Sequence, residues 1–401
     1  MENELIKKSE ETLKSFNLQE LEKVGIKRER EAFETSHTIV TYPPLQVCAP
    51  INLKDIFTKN KKIKRDVALY IHIPFCIGKC LYCHYATFAN QPLSVTDYYL
   101  KHIEKELELL LKILELQEMN IKSIHIGGGT PTYLSVEQLG SLMDFLHKKL
   151  NIEKDAEITF ESCPETLIKE DGDAKLKLLL EKGVNRLSIG IQSFDDEVLK
   201  TAGRNHNARE AFMALRLARN CGFKNINIDL MIGLPDQTLQ SWSETLSKVE
   251  ELKPESITAY HLRIKSIVPF FNLFKNQLER FPSDNNILTM DVMIRKKLSD
   301  LSYKENPANW FNKESKFIYH HQEQKWKETA ELLALGVSSY SFINNVQYYN
   351  YSNLKDYFEA IDNGKLPIHK GIKLDEKEQI IRKIIFGLKM ADGIEKSKFY
   401  N

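Results

Sequence analysis

The chain has no surplus of charge of either sign: 56 Lys+Arg against 55 Asp+Glu leave a formal net charge of +1. That balance withholds the electrostatic footprint of a non-specific nucleic-acid binder, although it leaves a local basic patch open. Nowhere are there the ~18 consecutive apolar residues that a membrane-spanning helix needs. The first twenty residues, MENELIKKSEETLKSFNLQE, lack the apolar core of a secretory signal. There is no low-complexity tract and no close internal repeat. The expected compartment is therefore the cytoplasm, where thiols stay reduced. The six cysteines are accordingly not first read as disulfides. With 42% hydrophobic and 28% charged residues, the chain is too apolar for a disordered protein and ordinary for a globular one. Its 401 residues suit two domains, or one large barrel with additions.

From Val67 onward, short β-rich runs alternate with amphipathic helical stretches. Strands are expected at 67–73, 123–126, 157–160, 186–191, 225–232 and 256–261. Helices are expected at 95–118, 136–150, 165–182, 195–202 with 208–221, and 238–252. Ser94 and Asp97 read as a capping box opening the first helix, and Gly183 and Gly222 fall where helix C-caps belong. Six strands with helices between them predict an α/β fold with a parallel sheet and right-handed crossovers. Such a sheet either curls into a partial barrel or lies open and doubly wound, and its ligand side is the carboxyl end of the strands. Residues 1–65 read as an N-terminal extension with a turn at Tyr42-Pro43-Pro44 and a basic run, KNKKIKR at 59–65, that suits a solvated linker. Residues 66–265 form the expected core. Residues 266–401 read as a short, mainly helical C-terminal region on the substrate side, with a helix at 287–301, a turn and strand at 334–342 and a helix at 373–390.

Three cysteines crowd into eight residues just after the first strand. Cys76, Cys80 and Cys83 are spaced C-x3-C-x2-C, and three thiolates on one tight loop can hold three corners of an iron–sulfur cube. A fully protein-ligated cubane uses four cysteines. With no fourth in the loop, one iron stays open to a small chelating ligand, which inner-sphere chemistry at a cluster requires. The alternative is structural zinc with His84 as fourth ligand, but structural zinc sites usually draw a second ligand pair from farther along the chain, and none is obvious. Cys163 and Cys221 read as small buried hydrophobes, and Cys48 is uninformative. Further candidates follow successive strand ends. Gly127-Gly128-Gly129-Thr130 allows close backbone approach to a ligand but lacks the lysine of a P-loop. Glu161, Gln192 and Arg204 come next; a guanidinium there can pair bidentately with a carboxylate. Asp229 lies in an apolar strand, costly unless paired with ligand hydroxyls, a sulfonium or a base such as Lys224. Tyr70 and His72 share a face that borders the cysteines if it points inward, and is core packing otherwise. Tyr82 lies between two of the thiols and can pack against a ring.

The segment YIHIPFCIGKCLYC, residues 70–83, resembles the signature of the radical S-adenosylmethionine (SAM) superfamily. Its flanks resemble one branch, oxygen-independent coproporphyrinogen III oxidase and its relatives, over roughly residues 40–390. The resemblance implies a partial (β/α)6 barrel akin to a TIM barrel, with a [4Fe-4S] cluster on Cys76, Cys80 and Cys83. It implies SAM as cofactor, held at its amino end by Gly127, Gly128, Gly129 and Thr130 and contacted by Glu161, Gln192, Arg204, Asp229, Tyr70 and Tyr82. Tyr70 and His72 become the catalytic candidates. The implied chemistry is one-electron cleavage of SAM to methionine and a 5′-deoxyadenosyl radical, which abstracts hydrogen from an unactivated carbon. A flavodoxin or ferredoxin is the expected electron donor, and a tetrapyrrole or comparably bulky molecule the expected substrate. Two departures stand out. Tyr85 occupies the position of a further cysteine in the oxidase. Family members also continue into a larger C-terminal domain, so either the chain is shortened or the substrate cover differs. Against these, residues 334–341, ALGVSSYS, resemble the oxidase more than its haem-chaperone relatives. Three readings follow: an oxidase decarboxylating tetrapyrrole propionates, a C-methyl or methylene transferase using two SAM molecules, and a haem chaperone that keeps the cluster. Arg263 and Lys265 are propionate-binding candidates by position.

Overall fold

The computed structural model describes residues 2–23, 41–57, 66–114 and 119–395. The basic run at 59–65 and the last four residues of the helix expected at 95–118 lie outside them. Fourteen strands are present among the described residues. The first eight are β1 (Asp66–Ile73), β2 (Phe75–Cys76), β3 (Phe88–Ala89), β4 (Asn120–Gly128), β5 (Asn151–Ser162), β6 (Arg186–Gln192), β7 (Ile226–Ile232) and β8 (Ser256–His261). The rest are β9 (Lys304–Glu305), β10 (Trp310–Asn312), β11 (Glu331–Leu335), β12 (Tyr340–Ile343), β13 (Val346–Asn350) and β14 (Ile368–Lys373). Strands β1, β4, β5, β6, β7 and β8 pair in that order, all parallel, which are the six strands expected. The fold is α/β, and this parallel sheet is its centre.

The sheet runs further than the six units. β11 lies parallel to β1 on its other side, and β12, β13 and β14 extend that edge antiparallel. β10 and β9 extend the opposite edge antiparallel from β8. Residues beyond 265 therefore carry six strands as well as the expected helices, which are found at Asp284–Asp300 and Glu376–Gly387.

Alternation along the strands sorts the two faces of the parallel sheet. On one face the register sets Ile71 beside Ile126, Ile126 beside Phe160, Phe160 beside Leu187 and Leu187 beside Ile226, all buried. Helices cover this face, and it is the core. On the other face Tyr70 pairs with His125, His125 with Thr159, Thr159 with Arg186, Glu161 with Ser188, and Asp229 with Thr258. A polar inner face on a parallel sheet is unusual, because such strands are ordinarily apolar on both sides. It marks the interior as a place for a ligand.

Helix punctuation departs from expectation in two places. The first long helix starts at Leu93, so Ser94 falls inside it, and Asp97 instead accepts from Gln138 Nε2 at 2.6 Å. The expected capping box is not formed there; reciprocal boxes form at Ser135/Gln138 and Asn207/Glu210. The helix expected over 165–182 is broken into Pro164–Leu167 and Gly172–Glu181. At the break Gly172 passes so close to the Leu167 carbonyl that a Cβ would lie 1.7 Å from its oxygen. Gly222 caps Ala208–Cys221 with φ +119°, and Gly183, φ +84°, follows the Gly172–Glu181 helix, both as expected.

Candidate functional site

β1 ends at Ile73, and after Pro74 the two-residue strand β2 carries Cys76. The glycine run clasps this turn. Gly129 N–H donates to the Ile73 carbonyl and Thr130 N–H to the Phe75 carbonyl, each at 2.8 Å. A Cβ on Gly129 would stand 2.7 Å from the Phe75 oxygen, and one on Gly128, φ +113°, would stand 2.4 Å from the His72 ring. Only glycine lets β4 approach the thiol-bearing segment this closely. Cys80 and Cys83 follow on a tight turn, with Cys83 N–H on the Cys80 carbonyl at 3.1 Å.

All six cysteines are free thiols. Thr130 Oγ1 donates to Cys76 Sγ at 3.7 Å, and Arg204 Nη1 to Cys80 Sγ at 3.1 Å. Burial pushes the Cys76 thiol up to about 12 and raises that of Cys83 as well. Such sulfurs ionise when a metal takes the proton's place, and the two donors already aimed at sulfur suit thiolates. The donor set thus fits an iron–sulfur cluster. Among the described residues no three His, Cys, Asp or Glu side chains are arranged around a single metal ion. His84 stacks on Tyr85 instead, ring centroids 4.6 Å apart. Cys163 is buried against Thr166, Cys221 donates to Asp173 at 3.2 Å, and Cys48 lies 3.9 Å from the Pro44 carbonyl.

Tyr70 and His72 do point to the inner face. Tyr70 Oη lies 3.0 Å from His72 Nδ1, and His72 Nε2 lies 3.1 Å from the Ala86 carbonyl. A carbonyl only accepts, so Nε2 carries the proton and Nδ1 accepts from the tyrosine. Burial lowers the His72 pKa, which keeps the ring neutral. His72 therefore staples the far end of the cysteine loop to β1.

Glu161 Oε2 accepts from Gly128 N–H at 2.9 Å, and Oε1 from His125 Nε2 at 2.8 Å. Burial works against its charge, but the His125 hydrogen bond and charge outweigh that and hold the carboxyl below its usual value. His125 Nδ1 in turn meets the Tyr319 hydroxyl at 2.6 Å, and Arg186 stands 4.4 Å over the Tyr319 ring. Asp229 accepts from Ser188 Oγ at 3.1 Å and Asn227 Nδ2 at 2.9 Å, so hydroxyl and amide partners take the place of the Lys224 bridge. Burial, then the charge of Glu161, pushes Asp229 up to about 6. Asp229 thus lies within reach of the Glu161 charge.

Arg204 is drawn to a neighbouring point. Besides Cys80 it donates through Nη2 to the Gly190 carbonyl at 2.7 Å and lies 3.7 Å from Glu165, while its Nε is buried without a partner. Burial opposes the Glu165 charge, but His206 and Arg204 together hold that carboxyl at about 2. Gln192 ends β6 in a left-handed conformation, φ +71°. Tyr82 packs on Phe270, ring centroids 6.1 Å apart. The structure thus joins Cys76, Thr130, the glycines, Tyr70, His72 and Glu161 in one contact group. It sets Cys80, Tyr82 and Arg204 beside it, with Asp229 on β7 opposite Gly190, whose carbonyl Arg204 holds. Sequence reasoning missed His125, Tyr319, Arg186, Glu165 and His206. His125 was open to discovery, since it alternates with Gly127 on β4; Tyr319 arrives from far along the chain with no local motif.

The mouth above these strand ends is aromatic and basic. Tyr260 is 42% exposed, yet burial chiefly, then the charges of Asp229 and Tyr85, drives its hydroxyl pKa far up. Burial and the charges of Lys265 and Arg263 push His84 down to about 4, which places both cations beside the cysteine loop.

The pattern of the family described as "Radical SAM superfamily" matches residues 70–249. The Bacillus subtilis protein named "Heme chaperone HemW" is 33% identical over 82% of this chain and 85% of its own length. The Pseudomonas aeruginosa oxygen-independent coproporphyrinogen III oxidase is 29% identical over 81% of this chain and 72% of its own. The solved Escherichia coli coproporphyrinogen III oxidase, a radical SAM enzyme, superposes with a TM-score of 0.73 at 29% identity, covering 81% of this chain and 76% of that one. With three thiols, the glycine clasp and the strand-end carboxylates in place, the chain belongs to the radical SAM superfamily, in the branch of the oxygen-independent coproporphyrinogen III oxidases and their haem-chaperone relatives, and a [4Fe-4S] cluster and SAM are its cofactors.

Proposed function

We propose that Cys76, Cys80 and Cys83 hold the cluster and that the chain acts without oxygen on a tetrapyrrole, removing carbon dioxide from propionate arms as coproporphyrinogen III oxidases do. The observation that carries the substrate class is a set of side chains past the strand ends: Tyr85, two residues after Cys83, and Tyr260, near the end of β8, are large aromatics left exposed, and the exposed Arg263 and Lys265 act on His84 beside Cys83. A flat macrocycle with carboxylate arms matches aromatic walls edged by cations. When bound, cluster and SAM supply an organic radical able to abstract hydrogen. The chain's own groups bind and orient. The N–H groups of residues 128–130 are already spent on Glu161, Ile73 and Phe75, so the run offers carbonyls, which suit an ammonium. Glu161, Gln192, Asp229 and the unpartnered Nε of Arg204 complete the proposed SAM contacts, and Tyr82 the adenine wall. Tyr70 is the proposed proton-holding group, through its hydroxyl on His72 Nδ1. The cytoplasm is the proposed compartment, and a flavodoxin or ferredoxin the proposed donor.

A haem chaperone is the second reading, favoured by Tyr85 in place of the oxidase's further cysteine and by the 33% identity to the Bacillus subtilis protein. Anaerobic incubation of the reconstituted protein with SAM, dithionite and coproporphyrinogen III, read by mass spectrometry, separates the readings. Vinyl products with 5′-deoxyadenosine are expected. Unchanged substrate with stoichiometric haem binding would replace the oxidase by the chaperone, and S-adenosylhomocysteine would mark carbon transfer.

A further inference from the structure

The helix His320–Lys327 lies across the inner face of β1 and β4. Its first turn is fixed there: His321 Nδ1 meets Ser123 Oγ at 3.0 Å, and Glu157 accepts from the N–H groups of His320 and His321. Lys325 is four residues past His321 and so shares its face of the helix, ~6 Å farther along. Its ammonium stands 5.1 Å over the ring of Tyr340, on β12.

Neither donor of this pair is satisfied by the protein. The Tyr340 hydroxyl is buried with no hydrogen-bond partner. Arg382, another cation, acts on Lys325, and Lys325 in turn acts on Lys389 and His321. Arg382 has its own carboxylate, Glu328, at 2.7 Å from Nε. Lys325 is half-buried, and burial, with the repulsion of Arg382, brings its pKa down to about 7. A buried hydroxyl without an acceptor, as at Tyr340, is costly and rare in folded proteins. The rings beside them are themselves faced by cations: Arg382 covers the ring of Phe342 at 3.7 Å and Lys389 stands 4.8 Å over that of Trp326, on which Phe386 also stacks.

We propose that Lys325 and Tyr340 form an anchoring site for one carboxylate arm of the substrate. This rests on the tetrapyrrole reading above and deepens it. One carboxylate accepts from both donors at once and restores a counter-charge between Lys325 and Arg382. The anchor lies one helical turn beyond His321, whose ring is 5.5 Å from His125, the partner of Glu161. An arm held here fixes the register of the macrocycle against the strand ends.

The test is an anaerobic binding titration of the cluster-loaded full chain with coproporphyrin III and with its tetramethyl ester, which keeps the macrocycle and removes the charges. The wild type is expected to prefer the acid by about tenfold or more, since a charge-assisted hydrogen bond is lost with the ester. Lys325→Met should weaken acid binding by about tenfold and leave ester binding as it was. Lys325→Arg should restore most of the acid preference, and Tyr340→Phe should lose part of it. Iron, sulfide and far-ultraviolet circular dichroism confirm that each variant is folded. Equal acid binding by wild type and Lys325→Met would overturn the anchor and leave the tetrapyrrole reading standing. A wild type that binds neither acid nor ester would overturn both.

Discussion

Replacing Cys76, Cys80 or Cys83 by Ala should each abolish the brown charge-transfer absorbance and SAM cleavage together, whereas Cys48, Cys163 and Cys221 should be dispensable for both. Full cluster content in Cys80→Ala would refute the assignment. Arg204 makes this test sharper, because its Nη1 donates to Cys80 sulfur and loses that acceptor when the thiolate is removed, keeping only the Gly190 carbonyl and Glu165. Asp229 gives a prediction of opposite character. Its folded pKa of about 6 lies above the ordinary 3.8, so between about pH 4 and 6 the folded chain keeps a proton that the unfolded chain has released. The stability tied to that proton is complete below pH 4 and is lost as pH rises through 6. Asp229→Asn should therefore be more stable than wild type at pH 8 by roughly 1–3 kcal/mol in urea unfolding, with the gap closing below pH 4. The same substitution should weaken SAM binding. Glu165 runs the other way: its carboxyl, held at about 2, contributes stability at neutral pH that disappears as pH falls from about 4.5 toward 2.

The glycine clasp between β4 and the β1–β2 turn is an element-scale device, and Gly129→Ala tests it. The added Cβ meets backbone atoms of Phe75 and Ile73 at 2.7–2.9 Å, and backbone cannot swing aside as a side chain can. A cost of about 1–3 kcal/mol is expected, together with iron loss out of proportion to the drop in thermal midpoint, because the strain falls on the segment holding Cys76. Wild-type iron content in a folded Gly129→Ala protein would show that the clasp is incidental. The six parallel strands were legible in the sequence because each alternates one apolar and one polar or small face over several residues, as in Leu69-Tyr70-Ile71-His72. Boundaries were missed where tertiary contacts decide them: β5 begins at Asn151, in a stretch of charged residues that carries no strand pattern. Of the candidate site, the thiols and glycines announced themselves by spacing. Tyr319 did not, because its only signal is a hydroxyl 2.6 Å from His125, and nothing in the surrounding FIYHHQ predicts that distant contact.

On the scale of the whole molecule, residues after 265 are not a cover laid over a finished barrel. Helix His320–Lys327 and Tyr319 reach the inner face, and β11 completes one side of β1. Tyr319→Phe should lower stability by about 1 kcal/mol and raise the SAM concentration needed for half-saturation, since His125 loses the partner that fixes its ring beneath Glu161; unchanged SAM affinity would confine Tyr319 to packing. Below Leu335 the turn toward β12 is tied in from several directions: Glu106 accepts from Gly336 N–H, Tyr357 and Asn350, and Tyr99 bridges Val337 N–H to the His72 carbonyl. The segment 334–341 is therefore built into the frame under the site. The parallel pairing of Val67 with Glu331 also bears on synthesis. As the chain leaves the ribosome, β1 can find β4 early but must wait until β11, Glu331–Leu335, emerges before its second flank is filled. Through that interval the strand that leads into Cys76 is a bare edge, open to pairing with another nascent chain. Loading of iron and sulfide before residue 331 emerges would act on an unfinished scaffold, so birth of the polypeptide and maturation of its metal centre are ordered in time by a single strand pairing.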